Sequence, residues 1–452
     1  MAPARFGTDG VRGVANEELT AELALAIGRA AARILPAPTF VVGRDTRRSG
    51  PLLQAALSAG LATEGADVVD LGVIPTPGVA VVAERRKVPG AMVSASHNPF
   101  GDNGIKLFSL LGTKLPVEIE RDIQLELDSI VEDAERPPRR PTGHGVGRIT
   151  SEPATADLYR EHLLSAIDGR TLGGLRVVVD CANGAASAFA PVVLSELGAT
   201  VTALHHVPDG ANINERCGST DPADLARTVV ETGADLGLAL DGDADRVIAV
   251  DHRGSIVDGD VLLALFALDL AERGQLAGNT VVVTVMTNLG FRLAMESRGI
   301  AVRETDVGDR HVLAALDADG LALGGEQSGH IIFRARSTTG DGILTGLALA
   351  DLVGRMGRSL GDLSDGLVER VPQVLVNVPI PRPERLADSA EVWDAVAKAE
   401  AELGHEGRIL LRPSGTEPLV RVMVEARAEA QANAVAASLA GVVEAVLGQV
   451  GG

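Results

Sequence analysis

The same local phrase occurs three times in this chain: a helix-like segment ends at a glycine and passes into a β-branched strand. It reads E-G-A-D-V around Gly65, L-G-A-T-V around Gly198 and R-G-I-A-V around Gly299. A strand-like run precedes each copy: F-V-V-G-R-D at 40–45, R-V-V-V-D-C at 176–181 and V-V-V-T-V-M at 281–286. The stretch between run and phrase has helical spacing, as in Leu52, Leu53, Ala56, Leu57 and Leu61. Glycine after the last helical turn suits the left-handed C-cap. Strand, helix, strand is the βαβ unit, so three copies predict three similar α/β domains with mixed or parallel sheets. Each is expected to enclose its own apolar core.

Every copy continues to a further short apolar strand that runs into a polar, glycine-rich loop. These are A-M-V-S-A-S-H-N-P from Ala91, L-G-L-A-L-D-G-D-A-D-R from Leu236 and L-A-L-G-G-E-Q-S-G-H from Leu321. In open α/β sheets ligands bind beyond the carboxyl ends of strands. Three equivalent strand ends with three different loops therefore predict one shared site in a central cleft. Arg136 to Gly147 is rich in Pro, Gly and Arg and reads as an exposed connector. After V-P-I-P-R-P-E-R at 378–385 the character changes. Leu419 to Ala426 alternates, with Val420, Val422 and Val424 on one face, and Gln431 to Val450 is apolar at helical spacing. That segment is expected to be a smaller α+β domain. The expected division is 1–152, 153–254, 255–368 and 369–452.

Composition removes several function classes. With 452 residues and 46% hydrophobics, the chain supports three or four folded domains at ~100–200 residues each and is not disordered. Its net charge of −20 argues against a dedicated nucleic-acid binder. No apolar run approaches the ~20 residues of a membrane span, Val261 to Leu268 being among the longest. The N-terminal residues M-A-P-A-R-F-G-T-D-G have no apolar signal core, so a cytoplasmic location is expected. Two cysteines, Cys181 and Cys217, cannot make a disulfide framework. Aromatics are 2%, so Val, Leu, Ala and Ile must build the cores.

Four loops can carry chemistry. In Ser94-Ala-Ser-His-Asn-Pro99 the turn signals leave Ser96 exposed at a strand end. A Ser/His nucleophile pair is rejected, because neighbours in an extended segment point to opposite sides and G-x-S-x-G is absent. Ser96 is then either a phosphoryl carrier, which needs cations and a metal rather than a base, or a turn-capping serine. In Asp241-Gly-Asp-Ala-Asp-Arg246, Asp241, Asp243 and Asp245 can converge on one hard divalent cation. An EF-hand is excluded, since its sixth and twelfth positions would be Arg246 and His252. A solvated acidic turn stays as the alternative. In Gly324-Gly-Glu-Gln-Ser-Gly-His330, Glu326 and Ser328 suit sugar hydroxyls and His330 can exchange a proton near neutrality, or the segment is simply a glycine-rich turn. In Arg412-Pro-Ser-Gly-Thr-Glu417, Ser414, Gly415 and Thr416 offer hydroxyls and N–H groups, and Arg412 and Arg421 offer forks for a phosphate. No Gly-Lys dipeptide exists, so a P-loop is excluded, and a plain polar turn remains open.

Together these segments resemble the α-D-phosphohexomutase family, and within it the branch acting on glucosamine phosphates. The resemblance is carried by R-F-G-T-D-G-V-R-G (Arg5 to Gly13), S-A-S-H-N-P, N-I-N-E-R-C-G-S-T-D (212–221), D-G-D-A-D-R, G-E-Q-S-G-H and R-P-S-G-T-E-P, in order over almost the whole chain. It implies interconversion of glucosamine 6-phosphate and glucosamine 1-phosphate, on the route to UDP-N-acetylglucosamine and cell-wall precursors. It implies a phosphoserine at Ser96 and one Mg²⁺ held by the three aspartates against that phosphate. A glucosamine or glucose 1,6-bisphosphate would be intermediate or activator, turning within the cleft. Arg246, Glu326, Ser328 and the Arg412–Arg421 loop would grip substrate.

For the proton acceptor, Lys106 is the favoured residue over Arg12, His97 and His330, since lysine shifts its pKa readily and arginine does not. His97 and Arg12 would orient the phosphate. The cleft must be locally basic despite the overall charge, through Arg12, Arg44, Arg246, Arg412 and Arg421. The partner expected is an amino-sugar phosphate, with no nucleic acid and no membrane, and a homodimer left open. A metal-dependent phosphatase and a non-catalytic sugar-phosphate sensor are the rival functions.

Overall fold

The computed structural model describes residues 6–7, 10–132, 140–414 and 418–448. Part of the Arg5–Gly13 motif, part of the 136–147 connector, Gly415, Thr416 and Glu417 lie outside them. The three repeats build three mixed sheets with one common topology. In the first, Thr39–Arg44 lies between Asp67–Val73 and Gly90–Val93, both parallel to it. In the second, Arg176–Asp180 lies between Thr200–Leu204 and Leu236–Leu240. In the third, Thr280–Thr284 lies between Ala301–Thr305 and Leu323–Gly325. Each outer parallel strand then pairs with an antiparallel successor: Asp102–Phe108, Val247–Asp251 and Ile331–Phe333 respectively. Gly65, Gly198 and Gly299 all have positive φ (100°, 98° and 71°), which a side chain would strain.

The helices between the strands are capped locally. Thr20, Asp258 and Asp341 each accept a backbone N–H three residues on, at the starts of Ala21–Ile34, Gly259–Glu272 and Gly342–Met356. The fourth domain is an antiparallel sheet of Gln373–Pro379, Leu419–Ala426 and Gly407–Pro413 in that order, covered by helices Ala390–Leu403 and Glu429–Leu447. Val420, Val422 and Val424 are buried as the alternation predicts, and so are Met423 and Glu425 on the opposite face.

Two expectations are corrected. The three α/β domains do not have separate cores: Val41, Tyr159, Val177, Leu236, Leu262, Val281 and Leu347 belong to one continuous apolar cluster. Domain-sized sheets with two apolar faces must bury both, and here one face of each is turned toward its neighbours. The outward faces have their own smaller cores, as around Ile27 and Leu57 in the first domain. The helix Glu429–Leu447 is also long and apolar enough by composition to cross a membrane. Its alanines raise the mean hydropathy, while Ala432, Ala436, Leu439 and Val443 bury one stripe against the fourth sheet.

Candidate active site

The three polar loops leave their sheets at equivalent points, after Gly90–Val93, Leu236–Leu240 and Leu323–Gly325, and they meet. Between them lies a cleft of about 970 Å³, lined by Arg12 and His97 from the first domain, Asp245 and Arg246 from the second, and Glu326 and His330 from the third. That is the upper end of small-ligand sites.

Ser96 is buried (1% exposed) rather than exposed as its turn signals predict, beside the cleft-lining His97, with a left-handed backbone, φ 53°. Its Oγ donates to Asp241 Oδ2 at 2.6 Å, across 145 positions of sequence. The left-handed turn overturns the extended-chain argument made for this segment, because it brings Ser96 Oγ to 3.4 Å from His97 Nδ1. Close approach of the two loops requires Gly242, where a Cβ would lie 2.5 Å from Ser96 O.

The loop is held from beneath by residues to which the sequence analysis gave no role. Arg47 is 1% exposed, and its guanidinium donates to the carbonyls of Ser96 (2.9 Å), Asn98 (2.8 Å) and Asp102 (3.1 Å), and to that of Pro99. Its Nε donates to Asp45 Oδ2 at 2.8 Å. Ser94 Oγ donates to the same carboxylate and accepts from Ser96 N. Asn214 Nδ2 reaches across from the second domain to Ser96 O and Asn98 O at 2.8 and 3.0 Å. Arg47 lies three residues past the strand Thr39–Arg44, so the strand-end rule could have flagged it. Asn214 stands in the N-I-N-E-R-C-G-S-T-D segment, whose motif was visible but whose target was not.

Asp241, Asp243 and Asp245 bring carboxylate oxygens within 4.8 Å of one another. All three are buried. Asp243 Oδ1 and Asp245 Oδ1 are buried without a hydrogen-bond partner, as expected of groups built to ligate. The donor set is all oxygen, so the site fits a hard divalent cation such as Mg²⁺. Burial, reinforced by Asp245 and Asp243, pushes the Asp241 carboxyl well above its usual value. Burial acts the same way on Asp243, but Lys106 and Thr76 overcome it and hold that carboxyl well below the usual range. Lys106 Nζ is 2.9 Å from Asp243 Oδ2 and 3.4 Å from Asp245 Oδ2, and Thr76 Oγ1 donates to Asp243 Oδ2 at 2.5 Å.

The remaining cleft residues are polar and arranged around it. Burial, then the Arg246 and Arg12 cations, lowers the His97 pKa, which favours the neutral ring. Arg246 is half-buried, and although desolvation opposes its charge, Asp245 and Asp241 hold it firmly protonated. Glu326 Oε1 accepts from Gly308 N at 3.1 Å, and Ser328 Oγ is buried without a partner. His330 Nε2 accepts from Gly340 N at 3.2 Å and lies 3.5 Å from Asp309 Oδ2. Lys114, Arg121 and Arg310 supply further positive charge. Arg44 does not line the cleft, being bonded to Gln54 instead.

In the fourth domain Arg412 and Arg421 are paired directly across antiparallel strands. Like charges so placed repel, and burial together with Arg421 lowers the Arg412 pKa. Such a pair suits an anion held between the two forks. Among the described residues of the fourth loop, Arg412, Ser414 and Arg421 do not line the cleft, whereas the first three loops meet there.

Four family models of phosphoglucomutase/phosphomannomutase match the chain: α/β/α domains I, II and III at residues 3–133, 157–254 and 258–371, and the C-terminal domain at 375–442. A phosphoglucosamine mutase of Corynebacterium glutamicum is 52% identical over 451 residues, covering 98% of this chain and 99% of the relative. Among solved structures, a phosphoglucomutase/phosphomannomutase family protein of Burkholderia thailandensis superposes with a TM-score of 0.81 at 27% identity, covering 98% of this chain and 97% of that one. The fold is shared too by an Aspergillus fumigatus N-acetylphosphoglucosamine mutase solved with GlcNAc-6P and magnesium (TM-score 0.69, 19% identity, 98% and 96% covered). With matching models over all four domains and a relative of this identity along its whole length, the chain belongs to the phosphoglucomutase/phosphomannomutase family of phosphosugar mutases.

Proposed function

We propose that this phosphosugar mutase interconverts glucosamine 6-phosphate and glucosamine 1-phosphate through a phosphoserine at Ser96. The observation that carries the reading is the 2.6 Å contact of Ser96 Oγ with Asp241, inside a triad whose partnerless oxygens suit a cation. The substrate follows from the 52% identical phosphoglucosamine mutase.

Asp241, Asp243 and Asp245 would hold Mg²⁺, which when bound offsets phosphate charge. The phosphoryl group passes from Ser96 Oγ to the free sugar hydroxyl: the P–Oγ bond breaks, a P–O bond to the sugar forms, the hydroxyl proton leaves to a base, and the released Ser96 Oγ takes up a proton, so none is gained or lost overall. Lys106 is proposed for that proton. Its ammonium rests on the carboxylates that a cation would occupy, so loss of their charge favours its neutral amine. His97 and Arg12 orient the phosphate, and Arg246 keeps its charge beside it. Glu326, Ser328 and His330 contact the sugar from the opposite wall. The resulting 1,6-bisphosphate turns over and returns its other phosphate to Ser96. Arg412, Arg421, Ser414, Gly415 and Thr416 grip whichever phosphate is not reacting, which requires the fourth domain to close on the cleft. The product would feed amino-sugar nucleotide synthesis.

Phosphorus NMR of the chain with glucosamine 6-phosphate, Mg²⁺ and catalytic bisphosphate tests the reading. The 1-phosphate should appear without free phosphate. Release of free phosphate would indicate a phosphatase, and binding without turnover a sensor. Either result rejects the proposal.

A further inference from the structure

A second cluster of ligating side chains lies in the second domain, outside the cleft. Asp180 ends the strand Arg176–Asp180, His205 follows the strand Thr200–Leu204, and Cys217 precedes the short helical turn Gly218–Thr220. One carboxylate oxygen, one ring nitrogen and the Sγ atom of these residues lie within 4.8 Å of one another. Asp180 and Cys217 are wholly buried, and the His205 side chain is 26% exposed.

The geometry within the cluster is unusual for a plain hydrogen-bonded pair. His205 Nδ1 is 3.0 Å from Asp180 Oδ2, yet that nitrogen is buried and makes no hydrogen bond. The two lie side by side rather than with an N–H directed at oxygen. Two donors on one tetrahedral ion at 2.0–2.1 Å stand about 3.3 Å apart, so a small outward shift would admit an ion. On the other side of the ring, Nε2 is 3.6 Å from Asp224 Oδ2. A carboxylate behind a ligating histidine fixes the ring and raises its basicity. Asp180 is itself anchored by the N–H groups of Ala182 and Gly218, both 2.9 Å away.

We propose that Asp180, His205 and Cys217 form a transition-metal site, ligating Zn²⁺ or a like borderline ion through oxygen, Nδ1 and sulfur, with water entering past His205 as fourth ligand. The mixed O, N, S donor set selects such an ion over Mg²⁺ or Ca²⁺, which take oxygen. Ligation releases the thiol proton to solvent. The ion would also tie down the segment from Asn214, three residues before Cys217, whose side chain holds the carbonyls of Ser96 and Asn98.

Cobalt titration of the full chain, under reducing conditions and saturating Mg²⁺, tests the site. One equivalent of Co²⁺ should give a near-ultraviolet thiolate-to-cobalt band with intense tetrahedral visible absorption. Cys217→Ser should abolish the band, Cys181→Ser should keep it, and Asp243→Asn should keep it because the aspartate triad is not involved. His205→Ala, at a partly exposed position that leaves the core intact, should weaken binding at least tenfold and remove the rise in Tm that Zn²⁺ gives the wild type. The proposal is overturned if no thiolate band forms in the wild type, if the band survives in Cys217→Ser, or if Zn²⁺ raises Tm equally in His205→Ala.

Discussion

Arg47 and Ser96 are joined by a 2.9 Å bond from a buried guanidinium to a backbone carbonyl, and the same guanidinium holds three further carbonyls of that loop. A planar fork is needed for this, because an ammonium cannot span four acceptors in fixed directions. The nucleophile of the proposed reaction therefore stands on a turn whose left-handed φ of 53° is imposed from below.

Arg47→Lys should keep the fold and disturb the loop. Displacement of the reacting oxygen by about 1 Å costs about 100-fold in rate. We expect kcat to fall roughly 10- to 100-fold with KM nearly unchanged, and phosphorylation of Ser96 by the bisphosphate to slow in parallel. A variant with wild-type phosphorylation kinetics would remove Arg47 from the mechanism.

Ser96→Ala should lower turnover by roughly a thousandfold or more, as loss of a covalent group does elsewhere. Intact-mass measurement after incubation with the bisphosphate should find a phosphoryl group on the wild type and none on the variant. Near-normal activity in the alanine variant sinks the phosphoserine.

Removing divalent ions with EDTA should stop catalysis and lower Tm by only a few degrees, since one continuous apolar cluster holds the three α/β domains together. Asp243→Asn should cost roughly 100-fold or more, several kcal/mol of charge stabilisation being at stake. Unchanged turnover in EDTA would refute the metal role.

Arg421→Ala should impair both directions to similar extents, because the proposed grip serves each orientation of the bisphosphate. A charged hydrogen bond in a closed cleft is worth ~2–4 kcal/mol, so kcat/KM should fall about 30- to 1000-fold. Leakage of bisphosphate into solution should rise. Wild-type kinetics would make Arg421 a bystander of the sheet.

His162 gives a pH dependence of stability. Burial, then Arg85 and Arg336, lowers its pKa to about 4, and its Nε2 is buried without a partner. The unfolded chain protonates this ring near 6.5 and the folded one only near 4. Its contribution is therefore complete above pH 6.5 and is lost as pH falls through that window, up to about 3 kcal/mol. Tm measured from pH 7 to pH 4 should fall less steeply in His162→Gln. Parallel curves would show that other groups set the slope.

Much of this protein was legible as sequence. The three glycine-terminated helix phrases became three sheets of one topology, because C-cap chemistry and β-branched runs are local and survive in any context. The loops of Ser96, Asp241 and Glu326 were found by position, since a polar loop after a buried strand must emerge at a strand end. Other features required the tertiary structure. Adjacent Ser96 and His97 were read as divergent, whereas a left-handed turn imposed by Arg47 and Asn214 brings their side chains to 3.4 Å. The sequence singles out Lys106 as proton acceptor without naming a partner for it, and the fold sets it on Asp243 and Asp245. Separate cores were read from separate repeats, yet apolar faces exposed by one sheet are buried most fully against the next. Asp180, His205 and Cys217 have no sequence spacing that marks a site, and only packing brings them within 4.8 Å. Local signals act through a few neighbouring residues. The direction of a side chain and the charge around it depend on contacts tens to more than a hundred positions away, and those exist only once the chain has folded.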